Sequence, residues 1–334
     1  MKSLFKTSQS KVKSFRQCKK LFQYKHIDKI QRKKRPRPLA FGTIVHKMKE
    51  SVAAKRDPFK VLKELPQKDL VLFREERETY GDIINDIKYI FSAYLDFYKD
   101  KPLIYLKRKG GSNMLTEHPF ELQYPKEDLL IKGTIDAATA NRKMDWLTEH
   151  KNHGKIPNDD ERWRNVQSVV YIQVSRLLGW WDFEGTCWDY IRTKPPTKPQ
   201  LLKNGELSRR ALDSLPQVVL DTIKEYKLNP KDYQDVIDEQ KNNMTTWFQR
   251  VYTPVKKEVL KLVWIDFLTT SAEMRDTNFD KPQPRTIGWH CNSCEFEPLC
   301  RAALTGSDEE FLKERYYEAS TYGDEESPAT KDAA

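Results

Sequence analysis

The chain has 334 residues, enough for the buried core of one large domain or two smaller ones, and a formal net charge of +10 from 59 Lys and Arg against 49 Asp and Glu. No apolar run approaches the roughly 18 residues of a transmembrane helix, and the N-terminal residues lack the apolar segment of a secretory signal, so we expect a cytoplasmic protein with no membrane partner. The basic excess favours a polyanionic partner, of which nucleic acid is the natural one.

The N-terminal segment carries a helical pattern and a basic run. Apolar residues recur at helical spacing through residues 10–24, with Cys18 in the middle of the pattern. Read alone, Cys18 would be a small buried hydrophobic residue. The basic, proline-containing run at residues 29–38 is typical of a solvated loop, and equally of an arm that contacts phosphates.

A helix is predicted to follow these prolines, starting near residues 41–43. Thr43 is placed to act as its N-cap, and His46 lies on the same helix. Helical periodicity continues through residues 51–101, with apolar residues every three to four positions near its end. We therefore expect a helical cover over a functional site.

Three strands are predicted in succession after this helical region. Residues 117–124 alternate in polarity like a half-exposed strand, and two short apolar runs follow at residues 131–136 and 145–151. The polar residues 140–143 between these two runs predict the turn of a hairpin. This hairpin would bring the carboxylates of the two strands side by side.

The carboxylates of the hairpin predict a metal site. Because residues two apart in a strand point to the same face, Glu149 and Lys151 face one site and His150 points away. Mg²⁺ or Mn²⁺ prefers oxygen ligands, which Asp136, Glu149 and the backbone carbonyl of His150 supply. Lys151 would hold or deprotonate the attacking water, or counter the charge of a phosphoryl transition state. The alternative is a set of ordinary surface charges on two strands.

The next predicted element is a helix over residues 161–178 that stops at Gly179. Gln167 and Tyr171 lie four residues apart and so share a helix face, which would aim both at the site if the helix packs beside the acidic strands. The alternative is that Tyr171 is a core residue and Gln167 is exposed.

A fourth strand is predicted at residues 185–192, with Cys187 in an interior, structural position. Residues 194–283 have a mainly helical pattern in which basic and aromatic residues interleave at 247–252. Arg250 in that stretch is a candidate for a phosphate contact, although a packed helical subdomain explains the pattern better.

The cysteines near the C-terminus predict a second metal site. Cys291, Cys294 and Cys300 have the spacing C-x2-C-x5-C. Cys18 is the best candidate for the fourth ligand, because Cys187 falls in a strand pattern. An all-sulfur set suits either zinc or an iron-sulfur cluster, and the spacing does not separate them. With Cys18 as a ligand, the metal links the two ends of the chain, and its loss should loosen the whole fold.

Several of these residues occur in the order seen in RecB-like nucleases of the PD-(D/E)XK superfamily, and they resemble the motifs of that family over about residues 8–303. The residues are His46, Asp136, Glu149, Lys151, Gln167 and Tyr171. The cysteine arrangement is similar to that of the iron-sulfur branch, which includes AddB-type nuclease domains and CRISPR-associated exonucleases of the Cas-four type, also found in phages.

This resemblance implies a restriction-endonuclease-like α/β fold: a central mixed sheet flanked by helices, a helical cover, and an iron-sulfur cluster joining the N-terminal and C-terminal segments. It also implies roles for the residues that match. His46, Asp136 and Glu149 would bind Mg²⁺ or Mn²⁺, Lys151 would assist the water, Gln167 and Tyr171 would position DNA, and Cys18, Cys291, Cys294 and Cys300 would hold a [4Fe-4S] cluster.

The predicted function is a metal-dependent DNA exonuclease acting on single-stranded ends, in recombination, repair, spacer acquisition or phage DNA metabolism, with helicase or recombination proteins as candidate partners. One alternative is a non-catalytic DNA-end-binding recombination accessory protein with a structural iron-sulfur or zinc site. Another is a zinc-containing structural protein of a replication complex. The predicted regions are an N-terminal cysteine segment (1–28), a helical region (29–115), the nuclease core (116–193), a mainly helical insertion (194–285), the cysteine segment (286–305) and an acidic tail, partly helical and then disordered (306–334).

Overall fold

The computed structural model describes residues 4–34, 36–107, 114–210 and 212–320. The disorder predicted for the end of the acidic tail lies outside these residues. The strands are β1 (Phe5–Thr7), β2 (Ile30–Arg32), β3 (Ile104–Tyr105), β4 (Thr116–Tyr124), β5 (Leu129–Asn141), β6 (Met144–His153), β7 (Gly185–Arg192), β8 (Phe248–Pro254) and β9 (Tyr317–Ala319). The helices are α1 (Gln9–Gln17), α2 (Lys19–Phe22), α3 (Arg37–Ala53), α4 (Lys60–Lys63), α5 (Gln67–Glu75), α6 (Arg77–Tyr80), α7 (Ile83–Phe97), α8 (Asp159–Arg162), α9 (Gln167–Leu177), α10 (Pro216–Glu225), α11 (Gln234–Asn242), α12 (Lys257–Asp276), α13 (Glu297–Thr305) and α14 (Glu309–Tyr316).

The described strands other than β2 and β9 form one mixed sheet. Strand β5 pairs with β1 and β6 along successive parts of one edge and with β3 and β4 along the other edge, and β7 and β8 follow β6. The pairs β1/β5 and β6/β7 are parallel, and the remaining pairs are antiparallel. This arrangement confirms the α/β fold with a mixed central sheet and flanking helices, and the four predicted strands are β4 to β7.

The hairpin between β5 and β6 turns on two residues, Arg142 and Lys143. Both have positive φ angles, of 51° and 65°. Two positive φ angles in a two-residue loop define a type I′ turn, whose twist matches that of the flanking strands. Glycine and asparagine are the usual residues of such a turn. Arg142 and Lys143 have larger side chains, so these positive φ angles cost the hairpin some conformational free energy.

Helices cover both faces of the sheet. On one face, α1, α9 and α12 pack through a core that includes Phe15, Val174 and Phe267. On the other face, α3 and α7 pack through a core that includes Phe41 and Ile90. None of the helices in the described residues is both long enough and apolar enough to cross a membrane.

Helix α3 begins earlier than the sequence pattern predicted. Its first residue is Arg37, and Pro38 lies within the first turn. The predicted N-cap Thr43 lies inside the helix, where its hydroxyl donates to the carbonyl of Leu39 at 3.0 Å. The sequence pattern predicted that Pro38 would break the helix. In the first turn, however, the backbone N–H groups have no acceptor within the helix, so the N–H that proline lacks is not missed, and its fixed φ suits the helix. Helix α9 differs in the opposite direction, because it begins at Gln167 rather than at residue 161.

The region after β7 is not purely helical. Residues Phe248–Pro254 form β8, which pairs antiparallel with β7 and extends the central sheet. The interleaved basic and aromatic residues therefore belong to the central sheet and not to a separate helical subdomain. The predicted long helical region at residues 51–101 is likewise interrupted, and it consists of the end of α3 followed by α4 to α7.

Candidate functional site

The site forms where β5 and β6 separate. The antiparallel ladder between them ends at the pair Ala137 and Thr148. The next residues outward are Asp136 on β5 and Glu149 on β6, so both carboxylates lie at the mouth of this fork. The carboxylate of Asp136 spans the gap, because its Oδ2 accepts a hydrogen bond from the backbone N–H of His150 at 2.8 Å.

The alternation predicted for β6 is present in the structure. The Nζ of Lys151 donates to Oε2 of Glu149 at 2.6 Å, so these side chains lie on the same face. The His150 ring lies on the opposite face, 2.9 Å from Oδ2 of Asp189. Glu149 and His150 are both buried, whereas the side chain of Lys151 is 21% exposed and can be reached from solvent.

Helix α3 adds His46 to the fork. The Nε2 of His46 lies 3.1 Å from the carbonyl oxygen of His150, and its Nδ1 lies 3.1 Å from Oε1 of Glu117. Both of these oxygens accept hydrogen bonds, and the imidazole ring lies between them. Burial alone would lower the pKa of His46, but the hydrogen bond to Glu117 and the charge of Asp136 outweigh burial and raise it.

Glu117 is a site residue that the sequence analysis missed. Single ligand atoms of His46, Glu117 and Asp136 all lie within 4.8 Å of one another. Glu117 lies on β4 across from Asp136, since the flanking pairs of the ladder are Thr116 with Ala137 and His118 with Ile135. The short turn between β4 and β5 fixes this register. Glu117 and Asp136 lie the same number of residues from the turn, so the sequence alone could have placed them opposite each other.

The electrostatics of the fork keep Lys151 charged. Burial raises the pKa of the Glu149 carboxyl to about 7, against the opposing effect of the Lys151 ammonium. Burial would also raise the pKa of Asp136, but the positive charges of His46 and Lys151 hold it below its ordinary value. For Lys151, burial is outweighed by the two carboxylates, which raise its pKa. The site therefore contains a charged carboxylate, a carboxyl that titrates near neutrality and a cationic lysine.

A buried ionic cluster lies behind the His150 ring. Oδ2 of Asp189 accepts hydrogen bonds from Nζ of Lys49 at 2.6 Å and from the hydroxyl of Tyr94 at 2.8 Å. Oδ1 of Asp189 accepts one from Nε of Arg250 at 3.0 Å. The sequence suggested a phosphate contact for Arg250, but the structure commits this guanidinium to Asp189 in the interior. The cluster fixes the side of β6 opposite Glu149 and Lys151.

The predicted DNA-positioning pair lies on α9. The ring of Tyr171 is buried and packs edge-to-face against Phe120 of β4 at 5.1 Å. A Cβ on Gly133 would lie 2.9 Å from the Tyr171 hydroxyl, so the glycine leaves the space that this hydroxyl occupies. Gln167, the first residue of α9, is partly buried, and its backbone N–H donates to Oδ1 of Asn165 at 3.3 Å. The structure thus places Tyr171 in the core beside β5, and a contact of this pair with DNA stays a prediction.

A basic groove of about 250 Å³ opens beside Lys151. It lies between the end of β6 and the segment that leads to α9. Its lining includes exposed Lys155 and the guanidinium of Arg162, whose side chain is 11% exposed and pairs with Asp159. The lining residues are Lys151, His153, Lys155, Pro157, Arg162, Asn165 and Tyr190.

The four cysteines predicted as ligands line one cavity of about 290 Å³. Cys18 lies between α1 and α2, and its Sγ accepts a hydrogen bond from the backbone N–H of Thr286 at 3.4 Å. Cys291 and Cys294 lie at the turn before α13, and Cys300 lies on α13. None of the four forms a disulfide within the described residues. Cys187 lies apart from them, fully buried on β7, as its strand pattern predicted.

Protein contacts also join the two ends of the chain around this cavity. β2 pairs antiparallel with β9. Nζ of Lys25 lies 3.0 Å from Oε1 of Glu295, and the ring of Tyr24 packs 5.3 Å from that of Phe296. These contacts hold the two ends of the chain together in addition to any link through the cysteines.

One family model matches most of the chain. It is described as the PD-(D/E)XK nuclease superfamily, and it covers residues 6–301, a range that contains the fork, the groove and all four cysteines of the cavity. No curated protein matches the chain.

Proposed function

The chain belongs to the PD-(D/E)XK nuclease superfamily, and we propose that it is a DNA exonuclease that uses Mg²⁺ or Mn²⁺ and acts on single-stranded ends. Members of this superfamily are nucleases that use divalent metals. The observation that carries the proposal is the fork between β5 and β6, where Asp136 meets the Glu149 and Lys151 pair. These three residues match the aspartate and the (D/E)XK part of the superfamily motif.

The atoms at the fork suit a hard divalent cation. Oε1 of Glu149 is buried, and no described residue donates a hydrogen bond to it. A buried carboxylate oxygen without a partner is costly, and a bound cation would remove that cost. Asp136, Glu149 and the carbonyl of His150 would hold the cation, with His46 beside them. When bound, the cation would activate water and stabilise charge on the phosphate.

We assign Lys151 to charge stabilisation and to holding the attacking water. The neighbouring carboxylates raise its pKa and so favour the charged ammonium, which is a hydrogen-bond donor. Its partly exposed ammonium lies next to both carboxylates of the fork. A fixed positive charge at this position interacts more strongly with the transition state, in which negative charge on the phosphate oxygens develops, than with the substrate.

The basic groove beside Lys151 supports a path for one DNA strand. Lys155, an exposed lysine that lines the groove, would contact backbone phosphates. Contacts with phosphates do not depend on the DNA sequence, which suits an exonuclease that shortens strands of any sequence. The alanine variant of Lys155 should raise KM severalfold and leave kcat near the wild-type value, whereas Lys126→Ala, an exposed lysine on the turn between β4 and β5, should change neither.

The test of the activity uses single strands that carry a label at one end and a block at either the 5′ or the 3′ end, incubated with Mn²⁺. The proposal expects stepwise shortening from one unblocked end and no cleavage of circular single strands. Cleavage of circles at a rate equal to that of linear strands would overturn the exonuclease proposal. Tight binding of ends without any cleavage would instead identify a DNA-end-binding protein.

We also propose that Cys18, Cys291, Cys294 and Cys300 hold a [4Fe-4S] cluster. The support is that all four cysteines line one cavity, where their thiolates would form the four-sulfur ligand set of such a cluster. Anaerobically purified protein should be brown and contain about four iron atoms per chain. Cys18→Ser should lose the iron, and Cys187→Ser, at a buried cysteine outside the cavity, should keep it. A colourless protein with one zinc per chain would overturn this assignment.

A further inference from the structure

An exposed indole lies on the segment that leads to α9, beside the basic groove. Trp163 directly follows α8, and it is 72% exposed. Arg162, one residue before it, and Asn165, two residues after it, both line the groove. Trp163 therefore belongs to the segment that forms one wall of the groove next to Lys151, and its side chain is open to solvent.

The fold gains little from this indole. A buried aromatic side chain stabilises a protein through the apolar surface that it removes from water, but most of the surface of Trp163 stays in water. The turn around it is held by backbone hydrogen bonds. The N–H of Trp163 donates to the carbonyl of Asp159 at 3.3 Å, and that of Asn165 donates to the carbonyl of Arg162 at 3.0 Å. The side chain is therefore available for a contact outside the chain.

We infer that Trp163 stacks on an unpaired base of the bound strand and so makes the protein prefer single-stranded DNA over duplex. This inference rests on the proposed function, because it concerns the same substrate in the same groove. Proteins that hold single strands without reading their sequence combine cations that follow the phosphates with aromatic rings on which bases stack. Here Lys151 and Lys155 are the cations of the groove, and Trp163 provides the ring.

The charge next to the ring suits a nucleotide. The guanidinium of Arg164 lies 5.8 Å from the centroid of the Trp163 ring, and both residues are exposed. An aromatic face beside a cation matches a ligand that joins an aromatic group to an anion. Each nucleotide of a DNA strand has this composition, with the base for Trp163 and the phosphate for Arg164.

Stacking on Trp163 would discriminate between strands because of the structure of the duplex. In duplex DNA each base is paired and stacked on its neighbours, and freeing its face for an indole costs a few kcal/mol. In a single strand the bases are available to aromatic side chains. Phosphate contacts do not separate the two substrates, because both have phosphates. Trp163 would thus supply a preference that the lysines of the groove cannot.

The test measures binding of the full chain to fluorescently labelled DNA by anisotropy, without divalent cations. The ligands are an oligothymidylate, an abasic strand of the same length and a duplex of the same length. The wild type should bind the oligothymidylate about 5- to 150-fold more tightly than the abasic strand, the range expected for one stacked base. Trp163→Ala should lose this preference, with unchanged affinity for the abasic strand and the duplex, and Trp163→Phe should keep most of it.

Phe311→Ala is the matched control. Phe311 is 51% exposed, and the guanidinium of Arg315 lies 5.8 Å from its ring centroid, so its surroundings resemble those of Trp163. It lies on α14 and not among the residues that line the groove. This variant should bind all three ligands as the wild type does.

The outcomes separate this inference from the proposed function. Equal affinity of the wild type for the oligothymidylate and the abasic strand, or an unchanged preference in a folded Trp163→Ala protein, would overturn the inference and leave the nuclease intact. An equal loss of affinity for all three ligands in Trp163→Ala would overturn it too. A preference that depends on Trp163, in a protein that cleaves no DNA with Mn²⁺, would support the inference while removing the proposed activity. A wild type that binds none of the ligands would remove both.

Discussion

The buried cluster around Asp189 yields a quantitative prediction for Asp189→Asn. Asp189 and Lys49 have side chains that are 0% and 1% exposed, and 2.6 Å separates Oδ2 from Nζ. Removing one partner of a buried ion pair leaves an uncompensated charge and costs about 3–5 kcal/mol of unfolding free energy. Burial already lowers the pKa of Lys49 despite Asp189, so the lysine can lose its proton in the variant, and this limits the cost.

The reverse change should cost less. In Lys49→Met, Asp189 keeps its hydrogen bonds from Arg250 and Tyr94, so we expect a loss of about 1–3 kcal/mol. The double variant removes both the carboxylate charge of Asp189 and the ammonium of Lys49 that would otherwise be left without its partner. Its cost should therefore be smaller than the sum of the two single costs by at least about 1 kcal/mol.

Urea unfolding of the wild type, both single variants and the double variant measures these free energies. Asp238→Asn is the control, because Asp238 forms an exposed pair with Lys241 and should cost less than about 1 kcal/mol. Additive costs, or a loss below about 1 kcal/mol for Asp189→Asn, would refute the description of this cluster as a buried, mutually compensating set of charges.

Two further predictions concern stability. A Cβ at Gly185 would lie 2.1 Å from the backbone oxygen of Thr253, so Gly185→Ala should lower the unfolding free energy by about 3 kcal/mol, whereas Gly154→Ala, with open space around it, should be nearly neutral in the same urea assay. Burial lowers the pKa of His26 to about 3, below its unfolded value of about 6.5, so the unfolded chain binds this proton first and stability should fall as the pH drops from about 6.5 to 3. Melting curves of His26→Gln should show a weaker acid dependence than the wild type by about 3 kcal/mol at pH 4, and identical pH profiles would contradict this assignment.

The parts of the site that the sequence predicted are those governed by local rules. The two-residue alternation of a strand places Glu149 and Lys151 on one face and His150 on the other, and this holds whatever packs around β6. The hairpin followed from a short polar turn between two apolar runs. Cys18 was grouped with the C-terminal cysteines on chemical grounds, because the predicted metal site needs four ligands and the C-terminal motif supplies three.

The misses at β8 and at Arg250 arise from tertiary context, whereas the misplaced start of α3 arises from a local rule. Phe248–Pro254 forms a strand because β7 offers it a free edge, which no local pattern records. The predicted start of α3 was too late in the sequence, because Pro38 was expected to break the helix and instead lies in its first turn. The positive charge of Arg250 suggested a phosphate contact. A basic residue on an edge strand can also face the protein interior, and here its partner is Asp189.

The most direct test of the central claim compares Lys151→Ala with Lys132→Ala in a nuclease assay on end-labelled single strands with Mn²⁺. Lys132 lies on β5 and pairs with Glu121, outside the fork, so its variant should degrade DNA at the wild-type rate. Lys151→Ala should remain folded by its melting curve and be slower by about 10²–10⁴-fold. Equal rates of degradation by the wild type and Lys151→Ala would contradict the assignment of the fork between β5 and β6 as the catalytic centre.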